Sequence, residues 1–152
     1  MHLRPLLLAA LIGTLGGAAA SAAAADTAGI VKRLQGTVSL QRDGQTLPLA
    51  PGSAVQVGDR LVTGPDGAVG VTLADDTLLT AGPGSTLVVS EFRFNSTTNE
   101  GSLLASLWKG TLNVVTGLIA KQAPQNVNVQ TRNAVMGVRG TDFIVDARGD
   151  AP

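Results

Sequence analysis

The feature that most constrains this chain is its punctuation. Turn-forming clusters recur along it: Arg42-Asp43-Gly44, Pro51-Gly52-Ser53, Gly58-Asp59, Gly64-Pro65-Asp66-Gly67, Asp75-Asp76, Gly82-Pro83-Gly84-Ser85, and then single glycines at Gly110 and Gly117. Glycine supplies backbone angles closed to other residues, proline presets its own, and Asp and Ser bond their own main chain, so the chain turns at each cluster. Between them lie only short runs. Thr37-Val38-Ser39-Leu40-Gln41, Val55-Gln56-Val57, Val69-Gly70-Val71-Thr72-Leu73 and Val127-Asn128-Val129-Gln130 alternate polar and apolar residues, which sends one face to a core and the other to water. From Asp26 onward the chain holds 16 Val and 14 Thr, residues that suit a pleated sheet and lose rotamer freedom in a helix. Turns spaced by roughly 8–12 residues predict an all-β sandwich, barrel or solenoid, and the helices that parallel βαβ units need are missing.

One segment fits two periods. Leu103, Leu104, Leu107 and Trp108 fall at helical spacing, whereas Leu103-Ala105-Leu107 alternates as a strand. Gly110 closes the run and Thr111-Leu112-Asn113-Val114 follows it, which favours a strand and predicts a hairpin over the two segments. A faint repeat also appears: Pro51-Gly52-Ser53-Ala54-Val55-Gln56-Val57 matches Pro83-Gly84-Ser85-Thr86-Leu87-Val88-Val89 at an offset of 32 residues, as a turn-then-strand unit.

The N-terminus has a different character. Arg4, an apolar stretch from Leu6 to Leu15, and small residues with Ala-x-Ala choices before Asp26 read as a secretory signal peptide over residues 1–25. A spanning helix needs about 20 strongly apolar residues, and this stretch dissolves into Gly and Ala sooner, so no membrane span is expected to be retained. The remaining 26–152 is read as one domain that folds without disulfides, since the chain has no cysteine. With 11 Lys and Arg against 11 Asp and Glu, no basic surplus supports nucleic-acid binding. The single histidine, His2, lies in the leader, so the exported chain is expected to lack both imidazole and thiol, which excludes most catalytic chemistry.

Several motifs imitate sites. Ser106-Leu107-Trp108-Lys109 matches S-x-x-K, but that pairing works on a helix, and in a strand residues three apart point to opposite faces. Asp75-Asp76 resembles a carboxylate pair, yet neighbours in an extended chain diverge, and Asp before Thr is ordinary turn chemistry. Asp43, Asp59, Asp66 and Asp75 are scattered singly among turns, so no metal and no cofactor are expected. Gly137-Val138-Arg139-Gly140 spells a G-x-x-G clamp without its flanking helices, and Arg148-Gly149-Asp150 is read as a coincidence. Asn95-Ser96-Thr97 is a glycosylation sequon only in a host with that machinery.

The densest stretch runs from Val127 to Val145, where two strand-like segments flank a glycine-bracketed arginine. Gly137 and Gly140 are expected to hold an unusual local geometry that aims Arg139. Arg139 then either pairs with a carboxylate, Asp59 or Asp142, or faces a partner as an interface anchor.

These residues resemble the FecR-type domain family of bacterial envelope proteins. The match is carried by Gly36-Thr37-Val38, Gly58-Asp59-Arg60-Leu61-Val62-Thr63, Asp76-Thr77, Ser85-Thr86-Leu87, Lys109-Gly110-Thr111, Thr116-Gly117 and Gly137-Val138-Arg139-Gly140-Thr141-Asp142-Phe143, over about residues 36–145. The resemblance implies an all-β single domain of short antiparallel strands, twisted β-helix-like or sandwich-like, residing in the periplasm and without enzymatic activity. Its hallmark residues here are Asp59, Gly137, Arg139, Gly140 and Thr141. In the namesake branch the domain follows a cytoplasmic anti-sigma segment and a membrane span and relays an iron-siderophore signal. This chain has a leader in place of that layout, which sets it with exported stand-alone members, periplasmic or secreted. Arg132 follows Thr131 where the family often has proline, and the chain stops soon after the hallmark, where relatives add strands; a missing partner strand would leave an open edge. The expected function is binding of another envelope protein through strand edges. The alternative is a glycan or cell-wall binding module, for which Phe92, Phe94, Trp108 and Phe143 supply the only rings.

Overall fold

The computed structural model describes residues 27–138 and 140–147; the leader, Arg139 and the Arg148-Gly149-Asp150 tripeptide lie outside them. The turn clusters divide the chain into short strands: β1 (Thr27–Gln35), β2 (Val38–Arg42), β3 (Gln45–Pro48), β4 (Ala54–Gln56), β5 (Arg60–Thr63), β6 (Ala68–Leu73) and β7 (Leu78–Ala81). These are followed by β8 (Thr86–Phe94), β9 (Gly101–Lys109), β10 (Thr111–Val115), a short helix α1 (Leu118–Gln122), a 3-10 turn (Pro124–Asn126), β11 (Val127–Gln130), β12 (Val135–Gly137) and β13 (Asp142–Asp146).

The strands form two sheets, one ordered β13-β10-β7-β6-β1-β4 and the other β12-β11-β9-β8-β5-β2-β3. Their inward residues share one core. Val31, Val69, Val71, Leu79, Leu112 and Val114 come from the first sheet, and Leu61, Leu87, Val89, Leu103, Leu107 and Val129 from the second. The fold is therefore all-β and sandwich-like. It is also solenoid-like in its path, because the chain passes back and forth between the sheets while advancing along both, from the β3/β4 end to the β12/β13 end. Every pair is antiparallel except β9 with β11, which run parallel. A parallel neighbour needs a crossover, and β10 in the opposite sheet followed by α1 provides it.

β9 is a strand, as alternation at Leu103, Ala105 and Leu107 indicates; all three are buried while Trp108 is exposed. The expected hairpin with Thr111–Val114 is not found. β9 pairs with β8 and β11, whereas β10 pairs with β7 and β13 in the other sheet. Gly110, with φ of +88°, turns the chain through a corner between the layers. The repeated turn-then-strand unit has a matching backbone start, since Gly52 and Gly84 both have positive φ, but β4 lies at an edge of one sheet and β8 inside the other.

Candidate functional site

Asp59 is the most deeply placed of the described hallmark residues. It is 1% exposed and lies in the turn between β4 and β5, where its Oδ2 accepts the Gln56 backbone N–H at 2.8 Å. Arg42, at the end of β2, donates to both carboxylate oxygens, from Nε at 2.8 Å and from the terminal nitrogen at 2.6 Å. This is the planar two-point geometry that suits guanidinium and carboxylate. The hydrogen bond to Asp59 holds the Arg42 pKa above its ordinary value, so the cation does not titrate in any usable range. The expectation that Arg139 pairs with Asp59 or Asp142 concerns a residue outside those described, and Asp59 is occupied instead by Arg42. Nothing local signals that pair: Arg42 stands 17 residues away, beside a turn where an arginine reads as a solvated surface residue.

The other motif residues stitch the corners where the chain changes sheets. Thr63 at the end of β5 donates from Oγ1 to the Gly82 carbonyl at 2.6 Å and accepts the Ser85 N–H at 2.8 Å. Ser85 Oγ accepts the Thr111 N–H at 3.0 Å. A Cβ at Gly110 would lie 2.1 Å from Ser85 Oγ and 2.5 Å from Ser85 Cα, so this corner closes only around glycine. At another corner Asp75 is fully buried. Its carboxylate accepts the Thr77 N–H at 3.1 Å, the Thr77 hydroxyl at 2.7 Å and the Ile119 N–H at 3.4 Å, and its carbonyl accepts the Leu118 N–H at 2.7 Å. Thr77 Oγ1 in turn accepts the Gly117 N–H at 3.2 Å. Asp76, with φ of +68°, makes the turn and faces solvent. The two aspartates thus diverge: one anchors α1 and the other shapes a turn.

Ser106 and Lys109 do not converge. Ser106 is buried and shares a hydrogen bond of 2.5 Å with Ser90, whereas Lys109 is exposed. Among the described residues no group of three His, Cys, Asp or Glu side chains is placed to hold a metal, and no helix is long and apolar enough to cross a membrane. An open cleft of about 670 Å³ on the outer face of the six-stranded sheet is lined by Lys32, Arg33, Ala68, Gly70 and Thr80; its cations face no carboxylate in that lining. Of the four aromatic residues, Phe92 is buried and Phe94 and Phe143 pack partly buried against the core, which leaves Trp108 exposed at 37%.

Gly137, Gly140 and Thr141 cluster at one end of the sandwich. Gly137 closes β12, and the unusual geometry expected there is not found: its φ is not positive, and a Cβ would meet only Asn128 Oδ1 at an ordinary 3.7 Å. Gly140 does adopt a left-handed φ of +95°, in open space. The Thr141 carbonyl accepts the Thr116 N–H at 2.9 Å, which ties the link between β12 and β13 to the end of β10. β12 and β13 are the outermost strands of the two sheets at this end, and the far side of each pairs with no strand among the described residues. Val135 (63%), Met136 (37%) and Ile144 (70%) are exposed on them. The opposite end differs. There the outermost strands are β3, which ends in Pro48, and β4, which follows Pro51; the terminal strands are short at both ends, and proline is what differs. Proline, which has no N–H to donate, blunts an edge against pairing.

Comparison with known proteins adds one finding. A family model described as FecR protein matches residues 59–152. No curated protein and no solved structure matches.

Proposed function

The chain belongs to the FecR family, and from that premise we propose that it is a non-enzymatic protein-binding module of envelope signalling. It is exported to the periplasm by the leader at residues 1–25 and binds another envelope protein by accepting a strand at its β12/β13 end. One observation carries this reading: the two ends of the sandwich are unlike. The β3/β4 end carries Pro48 in β3 and Pro51 ahead of β4, whereas the β12/β13 end presents Val135, Met136 and Ile144 beside unpaired main chain among the described residues. Unpaired N–H and C=O groups in a strand supply affinity to a guest strand, and alternate side chains supply selectivity.

The test is affinity capture from the native envelope with three forms of the chain: wild type, Ile144→Pro in β13, and Thr46→Pro in β3 as a control at the blunted end. Thermal melts establish which variants remain folded. Loss of a reproducible partner in the first variant and its retention in the second supports the reading; equal recovery with both folded variants overturns it. The glycan alternative rests on Trp108. Saturable sedimentation with peptidoglycan, lost in a folded Trp108→Ala chain, would replace protein binding by wall binding.

A further inference from the structure

The outer face of the six-stranded sheet holds a site of another kind, away from the β12/β13 end. Along β1 the alternation of burial breaks at Lys32-Arg33, where both residues are exposed. The break is a β-bulge: Val31 pairs with Val71 and Arg33 with Gly70, so Lys32 is an extra residue with no partner on β6. A bulge re-aims the side chains beside it. Here two consecutive cations line one cleft, where a regular strand would send them to opposite faces. Among the described residues neither forms an ion pair, unlike Arg42.

A missing side chain opens the floor of that cleft. Gly70 stands directly between Arg33 of β1 and Thr80 of β7 in the row that crosses the sheet. A Cβ there would lie 3.3 Å from Arg33 Cβ and 3.8 Å from Thr80 Oγ1, so a larger side chain at this position would fill the space between them. Pro51 lines the cleft as well, held beside β1 by the Gly52 N–H, which donates to the Val31 carbonyl at 2.7 Å.

We propose that this cleft binds a phosphate monoester of a small polar molecule, held by Lys32 and Arg33. Charge decides among the oxyanions: a phosphate monoester carries about −1.5 to −2 near neutrality and matches two adjacent cations, whereas a carboxylate leaves one of them uncompensated. Arginine offers a planar fork to two phosphate oxygens and lysine a point charge. The Thr80 hydroxyl and the Gln35 amide add neutral donors to the lining. At about 670 Å³ the cleft has the volume of a small-molecule site and exceeds a bare phosphate, so the carrier shares it. Its lining contains no aromatic ring on which an apolar carrier could stack. A flat anionic membrane fits less well, because the same face of the sheet carries the exposed carboxylate of Asp142 on β13, which a negative surface repels.

The test is an NMR titration of the full chain at low ionic strength with glucose 6-phosphate, glucuronate and glucose as probes. Glucose 6-phosphate is expected to give saturable amide shifts at Lys32, Arg33, Gly70 and Thr80, glucuronate weaker binding at the same residues, and glucose none. Each exposed cation is worth roughly 3- to 5-fold in Kd, so the double variant Lys32→Gln/Arg33→Gln weakens binding roughly tenfold or more. Thr80→Leu, which fills the cleft at constant charge, weakens it too, whereas Lys121→Gln, at an exposed cation on α1, leaves it unchanged. The substituted positions are exposed, and thermal melts establish that each variant is folded. Equal affinity for glucose 6-phosphate and glucuronate overturns the selection for a monoester. No saturable shift at these residues, or an equal loss in Lys121→Gln, overturns the site. Binding to vesicles containing phosphatidic acid, without binding of the soluble ester, overturns a small-molecule occupant.

Discussion

Truncation of Asp75 to alanine tests how the corners hold. The carboxylate is fully buried and accepts three hydrogen bonds, two from Thr77 and a longer one from Ile119 at the start of α1. Alanine leaves the Thr77 and Ile119 N–H groups without that acceptor, and each unsatisfied buried donor costs about 1–3 kcal/mol. The Ile119 bond is long at 3.4 Å and contributes least. The variant also avoids desolvating a carboxylate, which offsets part of the loss, so Asp75→Ala is expected to cost about 2–4 kcal/mol. Against a typical total of about 5–15 kcal/mol this is a large fraction, and for a domain of this size it lowers Tm by roughly 10 °C. Asp75→Asn keeps the shape and the acceptor for Thr77 N–H and is expected to cost about half as much. Urea unfolding, followed by circular dichroism and by the single tryptophan, Trp108, gives both values. A double-mutant cycle with Thr77→Val should show coupling of about 1 kcal/mol or more, because Thr77 relays the contact to Gly117. Asp75→Ala within about 0.5 kcal/mol of wild type, or an additive cycle, would refute the claim that this network fastens α1 to the sheets.

Other outcomes follow from the same geometry. Arg42→Met strands the buried Asp59 carboxylate with the Gln56 N–H; because Arg42 itself is 27% exposed, the expected cost is about 2–3 kcal/mol in urea unfolding, below that of a fully buried pair. Arg42→Lys loses the two-point contact and should fall between wild type and Arg42→Met. Gly110→Ala adds a Cβ against the Ser85 backbone at a positive φ, and soluble expression with a cooperative melt is expected to be lost. Leu107→Ala should cost about 2–5 kcal/mol and Trp108→Ala less in the same assay, since neighbours on β9 face opposite ways; equal losses would argue against the assigned faces.

Much of the architecture was legible in the chain, and the part that was not has a common cause. Alternation located β9 and rejected a helix because burial on one face leaves a period of two wherever a strand is half solvated. The turn at Gly110 was equally visible, but its consequence was not. A glycine reports that the backbone bends, whereas hairpin or corner depends on which sheet captures the departing strand, and β7 and β13 are the strands that capture β10. α1 escaped notice because five residues are too few to display a helical period. The FecR motif was readable as an ordered set of residues, yet what those residues touch was not: Asp59 found Arg42, and Asp75 rather than Asp76 became the anchor.

Local chemistry therefore determined, by itself, that the polypeptide is a series of short strands joined by obligatory bends, since φ preferences and β-branching act within a few residues of where they are written. The tertiary structure alone decided the strand order, the pairing of distant charges and the exposure of one end. These depend on packing two sheets around a shared core, where contacts form between residues far apart in the chain and each is settled by competition among all the strands that could have occupied the same place.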